Sequence, residues 1–247
     1  MCGRYVSVRS DADLISEFDA VVAGTEDPYE ADFNIAPTKP VRTIVNRPLR
    51  DAEGNAASSP TRQLRVMAWG LVPSWSKDRS GAARMINARV ESVTDKPAFR
   101  AAYAKRRCLV PADGWYEWQV VDGPSGPVKQ PMYMTPADGH VLVFAGLYEF
   151  WRSETGTLST CTIITTPSVG ALGPVHDRAP LVLARSSWAR WLDPQISDPS
   201  DLLQTWDEAA GEGLELRPVA TTVNSVENNG SQLIDRVEPI PAAQTLF

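Results

Sequence analysis

The residue with the most distinctive chemistry is a cysteine at the second position, in Met1-Cys2-Gly3-Arg4. If Met1 is removed, Cys2 carries a free α-amine two carbons from its own thiol, a pair that no internal residue offers. An α-amino group has a pKa of about 8, against about 10.4 for a lysine side chain, so more of it is unprotonated near neutral pH. The free amine attacks an aldehyde to give a Schiff base, and the neighbouring thiol then closes a thiazolidine ring. Cys2 suits aldehyde capture or nucleophilic catalysis; the alternative is a chance small residue after the start codon.

Two residues are candidates for proton transfer. His176 lies in a loop beside an aspartate and an arginine, between two prolines, which favours an acid–base role. Glu117 is expected on a strand with Trp115 on the same face, where the ring would desolvate the carboxyl group and raise its pKa. His140 follows Asp138-Gly139 and is expected at the surface. A partly exposed edge glutamate and a structural histidine remain the alternatives.

A basic segment covers residues 62–107, which hold eleven Lys and Arg but only three acidic residues. Its charge is +8, against −6 for the whole chain, so the remainder carries −14. Such a division presents one basic face to an anion. Within it, Asn87-Ala88-Arg89-Val90-Glu91 places three polar residues on one face of an extended segment, which would orient a nucleophile and bind a phosphate. Trp69 and Trp75 would stack on nucleic-acid bases. A solvated charged surface and tryptophans that fill the core are the structural alternatives.

Composition places the chain among ordinary globular proteins. It has 247 residues, of which 43% are hydrophobic and 22% charged. No apolar run of about 18 residues and no secretory signal is present, which predicts a cytoplasmic protein without a membrane span. Cys2, Cys108 and Cys161 form no CxxC pair, which favours reduced thiols, with Cys108 and Cys161 in the core. Together with His176 they match no zinc-ligand spacing, so we predict no metal and no cofactor.

Many short strands separated by few helices indicate an α+β fold, with a curved, mainly antiparallel, barrel-like sheet and flanking helices. Apolar spacing predicts helices over residues 11–22, with Asp11 as a plausible cap, over 96–106 and 186–192, and around Leu202, Leu203 and Trp206. Residues 50–61 are rich in small and polar residues and are expected to form a mobile loop. Strands are predicted over residues 41–45, 64–67, 107–111, 114–121, 132–135, 141–151, 159–165 and 214–219. No Gly-rich phosphate loop precedes a helix, which argues against a nucleotide-binding α/β fold.

Eight segments together resemble the SOS response-associated peptidase (SRAP) family. They are Met1-Cys2-Gly3-Arg4-Tyr5, Asn34-Ile35-Ala36-Pro37-Thr38, Trp69-Gly70-Leu71-Val72-Pro73-Ser74-Trp75, Asn87-Ala88-Arg89-Val90-Glu91, Pro97-Ala98-Phe99-Arg100, the run from Arg107 to Trp118, Phe144-Ala145-Gly146-Leu147-Tyr148 and His176-Asp177-Arg178-Ala179-Pro180. They occur in family order. The resemblance implies a family domain over residues 1–224 and a tail over residues 225–247 without family signal.

The resemblance also implies an activity. Proteins of this family sense abasic sites in single-stranded DNA and form a thiazolidine DNA–protein crosslink through the terminal cysteine. The catalytic positions fall on four residues of this chain: Cys2, Asn87, Glu117 and His176. The DNA-binding positions fall on Arg4, Trp69, Trp75, Arg84, Arg89 and Arg178.

Two other functions remain alternatives at this point. The first is an N-terminal-nucleophile cysteine peptidase or amidohydrolase, because such enzymes also use a terminal cysteine; autoproteolytic removal of Met1 would be a minimal form of that activity. The second is a module that binds single-stranded DNA without covalent chemistry. The expected partner is abasic single-stranded DNA, with a monomeric protein and no membrane.

Overall fold

The computed structural model describes residues 2–23, 30–51, 53–124, 126–204 and 213–241. Strands β1 to β7 span Tyr5–Ser7, Val21–Val22, Asp32–Ile35, Pro40–Arg50, Ala56–Trp69, Asn87–Arg89 and Arg107–Ala112. Strands β8 to β13 span Gly114–Gly123, Gly126–Pro136, Leu142–Ser153, Gly156–Pro167, Arg178–Pro180 and Leu214–Pro218. Helices α1, α2 and α3 span Asp11–Phe18, Arg100–Lys105 and Trp188–Leu192. Short 3-10 turns lie at Ala82–Arg84, Gly170–Leu172, Arg185–Ser187, Ser200–Gln204, Thr221–Asn224 and Ser231–Ile234.

The larger sheet closes on itself. Its strands follow the order β12, β11, β10, β7, β4, β5 and β2, and β11 also pairs with β5. That closing contact is parallel, with Thr160 opposite Ala68 and Cys161 opposite Trp69. The five strands β5, β4, β7, β10 and β11 therefore form a barrel, which leaves these central strands without a free edge.

The smaller sheet carries the amino-terminal strand. Its order is β13, β9, β8, β1 and β3, and the described pairings within it are antiparallel. Strand β1 lies between β8 and β3, with Tyr5 opposite Trp115 on one side and Ile35 on the other. Because both neighbours hold β1, the residues just before it are fixed relative to β8.

One main cluster of buried residues joins the two sheets. Tyr5, Trp69, Trp115 and Phe144 are fully buried and meet edge to face, with ring centroids 5.2 to 6.1 Å apart. Each such side chain contributes on the order of 2 kcal/mol through removal from water. The expected fold class is confirmed: the molecule is mostly β, with a barrel-like, mainly antiparallel sheet and a few short helices. Cys108 and Cys161 are buried in this core, as expected.

Helix α1 is shorter than the sequence pattern predicts. It begins at Asp11, but Ser10 is the N-cap, because its side chain accepts a hydrogen bond from Asp13 N and Asp13 bonds back to Ser10 N. The helix ends at Phe18, since Asp19 adopts a left-handed conformation with φ of 48°. The predicted continuation to residue 22 is wrong, because residues 21 and 22 instead pair with β5.

The expected loop over residues 50–61 is also wrong. Strands β4 and β5 continue through this region as a hairpin, paired as far as Arg50 opposite Ala56. The turn is closed by Asp51, whose side chain accepts a hydrogen bond from Asn55 N at 2.7 Å. Residues 53–60 are exposed on both faces of the ribbon. No alternation of apolar and polar residues therefore marks the strand in the sequence.

The remaining predicted elements match with adjusted bounds. The helix expected over residues 96–106 occupies Arg100–Lys105, and Trp206 lies outside the described residues. In the tail, Leu233 is buried and Arg217 donates a hydrogen bond to the Ile234 carbonyl at 2.8 Å, so this part of the tail packs on the smaller sheet. None of the helices in the described residues is long and apolar enough to cross a membrane.

Candidate functional site

Cys2 is held at the junction of the two sheets, directly before β1. It is fully buried, and its side chain belongs to the main core cluster. Burial, and then the negative charge of Glu117, raise the pKa of the Cys2 thiol well above its usual range. The thiol is therefore protonated near neutral pH, and it must lose a proton to a nearby base as it reacts.

Asn87 anchors the backbone of Cys2. Strand β6 pairs in parallel with β11, with Asn87 opposite Ile163, and this pairing aims the amide at the chain terminus. Asn87 Nδ2 donates a hydrogen bond to the Cys2 carbonyl at 2.7 Å. Its Oδ1 is buried and has no hydrogen-bond partner among the described residues. Asn87 Oδ1 is therefore placed to accept a hydrogen bond from the α-amine that Cys2 would carry after removal of Met1.

Glu117 lies on β8 opposite the amino-terminal segment. Tyr5 pairs with Trp115, so the same antiparallel register carries Glu117 to the level of Gly3. The Glu117 side chain is only 4% exposed. Burial raises the pKa of Glu117 to about 7, because the charged form loses its hydration. Glu117 can therefore both accept and donate a proton near neutral pH.

His176 faces Glu117 from the loop before β12. Its Nε2 lies 4.0 Å from Glu117 Oε2. Its Nδ1 lies 3.0 Å from the Arg178 backbone nitrogen and 2.8 Å from Asp177 Oδ1. The backbone N–H is always a donor, so we assign Nδ1 as the acceptor and place the proton on Nε2, towards Glu117. Burial lowers the pKa of His176, which favours this neutral form near pH 7.

Glu117, His176 and Ser168 line a small gap together with the apolar Trp115 and Met134 among others, and this gap is too small to hold a water molecule. Glu117 and Trp115 share this lining, as expected from their alternation along the strand. Ser168 was not singled out from the sequence. Its Oγ is buried without a hydrogen-bond partner among the described residues, and no local signal distinguishes it from other loop serines.

Glu117→Gln is expected to stabilise the protein in a pH-dependent way. The folded state raises the pKa of Glu117 from 4.5 to about 7, so folding favours the protonated carboxyl. Wild-type stability therefore falls as pH rises from about 4.5 to about 7, by up to about 3 kcal/mol, and glutamine avoids this loss. Urea unfolding should give a higher free energy of unfolding for the variant than for wild type at pH 8, and similar values for the two proteins at pH 4.5.

The matched control is Glu149→Gln, at a second buried glutamate. Glu149 accepts a hydrogen bond from Arg106 Nη2 at 2.8 Å, so its neutralisation should lower stability at pH 8. An equal gain in the free energy of unfolding for both variants would contradict the claim that burial of the Glu117 charge destabilises the fold at pH 8.

Two of the predicted DNA-binding arginines hold the site together. Arg4 Nη1 donates to Asn34 Oδ1 at 2.6 Å and to the Val223 carbonyl at 2.8 Å. Arg178 forms a two-pronged ion pair with Glu91, at 2.5 and 3.1 Å. Both arginines are at least nine-tenths buried. A phosphate would have to compete with these internal partners.

The other predicted interface residues divide into buried and exposed. Trp69 is fully buried and donates from Nε1 to the Ile86 carbonyl at 2.9 Å, so its ring is part of the core and offers no face to a base. Trp75, in contrast, is 66% exposed. Arg84 and Arg89 are exposed on the same stretch between β5 and the end of β6. His140 is exposed, as expected, and its ring contacts Asp138.

The described residues contain no group of three or more His, Cys, Asp or Glu side chains arranged to hold a metal ion. The groups gathered around Cys2 instead provide a buried thiol, an amide anchor, a carboxyl group with a pKa of about 7 and a neutral imidazole.

Sequence and structure comparisons place this arrangement in a known family. The sequence model of the SOS response associated peptidase (SRAP) family matches residues 1–226. The abasic site processing protein YoaM of Bacillus subtilis is 36% identical over 236 residues, covering 95% of this chain and 98% of YoaM. The abasic site processing protein HMCES of Xenopus tropicalis is 31% identical over 232 residues, covering 83% of this chain and 66% of HMCES.

The fold agrees with that of a solved structure. A crystal structure of a protein from Bacteroides thetaiotaomicron superposes with a TM-score of 0.77, at 21% identity, over 96% of this chain and 100% of that one. At that identity the likeness concerns the fold alone. The family match over most of the chain decides the assignment: this chain belongs to the SOS response-associated peptidase family.

Proposed function

We propose that this protein processes abasic sites in single-stranded DNA by forming a covalent thiazolidine crosslink through Cys2, after Met1 has been removed. The observation that carries the proposal is the position of Cys2, buried just before the start of β1, anchored by Asn87 and close to Glu117. Relatives at 36% and 31% identity are named abasic site processing proteins, which supports the same substrate here.

The reaction joins one aldehyde carbon to both nucleophiles of Cys2. The α-amine attacks C1′ of the ring-opened deoxyribose and forms a carbinolamine, which loses water to give an imine. The thiol sulfur then adds to the imine carbon, and the thiol proton passes to the nitrogen through nearby groups. The net change is loss of one water, with a new C–N bond and a new C–S bond at C1′. No oxidant or reductant is required.

Three neighbouring side chains have different roles in this reaction. Asn87 Nδ2 holds the Cys2 carbonyl, and its buried Oδ1 would accept a hydrogen bond from the new α-amine. Glu117, with a pKa of about 7, would take the proton from the amine or thiol and return it to the departing water. His176 Nε2–H, 4.0 Å from that carboxyl group, would relay protons to the sugar oxygen.

Ring closure explains how a crosslink protects the strand. An imine at C1′ withdraws electrons and promotes β-elimination of the 3′ phosphate, which breaks the strand. Addition of the Cys2 sulfur converts C1′ to a saturated carbon and removes that electron sink. The amine is therefore the first nucleophile in this proposal, and the thiol prevents cleavage.

The strand is expected to bind through the exposed stretch with Trp75, Arg84 and Arg89. The Trp75 ring would stack on a base, and the arginines would neutralise phosphates. If about four to six phosphates are neutralised in total, the log–log dependence of affinity on salt should have a slope of about −3 to −4. Fluorescence anisotropy with an undamaged oligonucleotide measures this slope. A flat salt dependence would contradict binding along a basic face.

The proposed activity is tested by incubating the purified protein with an oligonucleotide that carries one abasic site. A band of slower mobility should appear on a denaturing gel and should resist heating. A peptidase or amidohydrolase would instead release a peptide or ammonia from its substrate without such a band. A non-covalent binder would shift the oligonucleotide on a native gel only, and either result would overturn the proposal.

A further inference from the structure

A second basic region lies away from Cys2, between the β4–β5 hairpin and the β10–β11 hairpin. It is a half-open groove of about 800 Å³. Four arginines line it: Arg47 and Arg50 from β4, Arg65 from β5 and Arg152 from β10. We call these four residues and the space between them the arginine groove.

The positive charges of the arginine groove are not compensated within the described part of the chain. None of its four arginines forms an ion pair there. Arg65 Nε donates to Gln63 Oε1 at 2.9 Å, and Arg47 lies over the Phe150 ring at 4.7 Å. Burial, and then the charge of Arg47, lower the pKa of Arg65. Like charges held together without a counter-ion favour an external anion, and guanidinium groups bind phosphate in two-pronged fashion.

The arginine groove lies on one face of the β10–β11 hairpin, to which Phe150, Arg152 and Thr157 contribute. It shares Thr157 with a neighbouring depression, which is also lined by Arg79 and Leu158. Arg79 and Leu158 in turn line a third depression beside Gly70. Because Leu158 and its partner Trp151 face the side opposite to Thr157 and Arg152, these two depressions lie on the other face of the hairpin. Four guanidinium groups spread along a groove of about 800 Å³ fit an extended chain of phosphates better than a single small anion.

The arginine groove is remote from the reacting residue. On β11, Ile163 pairs with Asn87, which holds Cys2, whereas Thr157 lies six residues earlier on the same strand. At about 3.3 Å per residue the two positions are about 20 Å apart. At about 3.4 Å per nucleotide, a stacked strand would need roughly six nucleotides to reach from one to the other.

We propose that the arginine groove binds the sugar–phosphate backbone of single-stranded nucleic acid, as a second contact region several nucleotides from the abasic site. This inference extends the proposed function by enlarging the footprint of the strand, but the contact itself requires no reaction at Cys2. The basic segment noted in the sequence covers only Arg65 of the four arginines, because the others lie on β4 and β10.

The test uses an undamaged oligonucleotide of about thirty nucleotides, so no aldehyde is present and the result is independent of crosslinking. The variant Arg50→Gln/Arg152→Gln removes two exposed charges from the arginine groove. Its salt dependence of binding should be shallower than that of wild type by about 1.4 in log–log slope, or about 0.7 for each lost phosphate contact. The control Lys129→Gln/Arg236→Gln removes two charges at the smaller sheet and should keep the wild-type slope.

Three outcomes would overturn the proposal. The first is a wild-type slope for the groove variant, and the second is an equal change in the control, which would indicate a general charge effect. The third is pyrophosphate binding that depends on Arg50 and Arg152 while strand binding does not, which would indicate a small-anion site. Thr157→Glu, at an exposed position of the groove, provides an independent variant and should weaken strand binding by charge repulsion.

Discussion

Cys2→Ala is expected to abolish the heat-stable adduct with abasic DNA while non-covalent strand binding persists. The variant keeps an α-amine at its terminus once Met1 is removed, so an imine can still form. It lacks the sulfur that converts the imine to a saturated ring, and the imine promotes β-elimination. Denaturing gels should therefore show loss of the stable crosslink and a gain of cleaved strand.

Cys108→Ala is the matched control for this substitution. Cys108 is as fully buried as Cys2, so both variants remove the same sulfur atom from the core. Cys108 lies inside β7 and has no free α-amine, and its variant should crosslink as wild type does. A heat-stable crosslink of wild-type yield from Cys2→Ala would contradict the assigned role of the thiol.

Glu117→Gln is expected to slow crosslinking by about 10²–10⁴-fold, the usual contribution of a positioned general acid or base. Burial raises the pKa of Glu117 to about 7, so the carboxylate form increases as pH rises through that value. Because the amine and the Cys2 thiol must both lose protons, the wild-type rate should rise with pH through about 7. Glutamine removes this inflection and leaves the ionisation of the amine, near pH 8.

Glu149→Gln tests whether any buried glutamate has this effect. Glu149 is 7% exposed and paired with Arg106, so its variant should keep the wild-type pH profile even where stability falls. Rates are measured by quenching timed reactions on denaturing gels from pH 5.5 to 9. A Glu117→Gln enzyme that retained the inflection near pH 7 and the wild-type rate would contradict the assignment.

The two effects expected at Glu117 have opposite signs. Glutamine removes the cost of burying a charge and should stabilise the fold at pH 8, but it also removes the group that we propose as proton acceptor beside Cys2. A residue that is retained at a cost in stability is typical of reactive sites. Stability and crosslinking rate measured on the same preparation separate a functional role of Glu117 from a structural one.

The residues proposed to react could be singled out from the sequence because their chemistry and order along the chain are distinctive. The structure brings Cys2, Asn87, Glu117 and His176 to one place, from four segments that the sequence places far apart. The raised pKa of Glu117 was also expected from the neighbouring Trp115. The sequence carried no sign of Ser168, since a loop serine becomes informative only when its hydroxyl is seen to be buried.

Other features depended on tertiary packing. Trp69 lies beside basic residues in the sequence, but its ring is buried in the core, and of these two tryptophans only Trp75 remains exposed. The β4–β5 hairpin was missed because both of its faces are solvated and its residues do not alternate. The arginine groove was missed because its arginines come from separate strands that the barrel brings together.

The most direct test of the central claim is the intact mass of the protein before and after reaction with an abasic oligonucleotide. The mechanism predicts a free protein that lacks Met1, and a crosslinked species equal to that protein plus the oligonucleotide minus one water. Fragmentation should place the oligonucleotide on Cys2, through both nitrogen and sulfur. An adduct on a lysine, or an equal yield of adduct from protein that retains Met1, would contradict the mechanism.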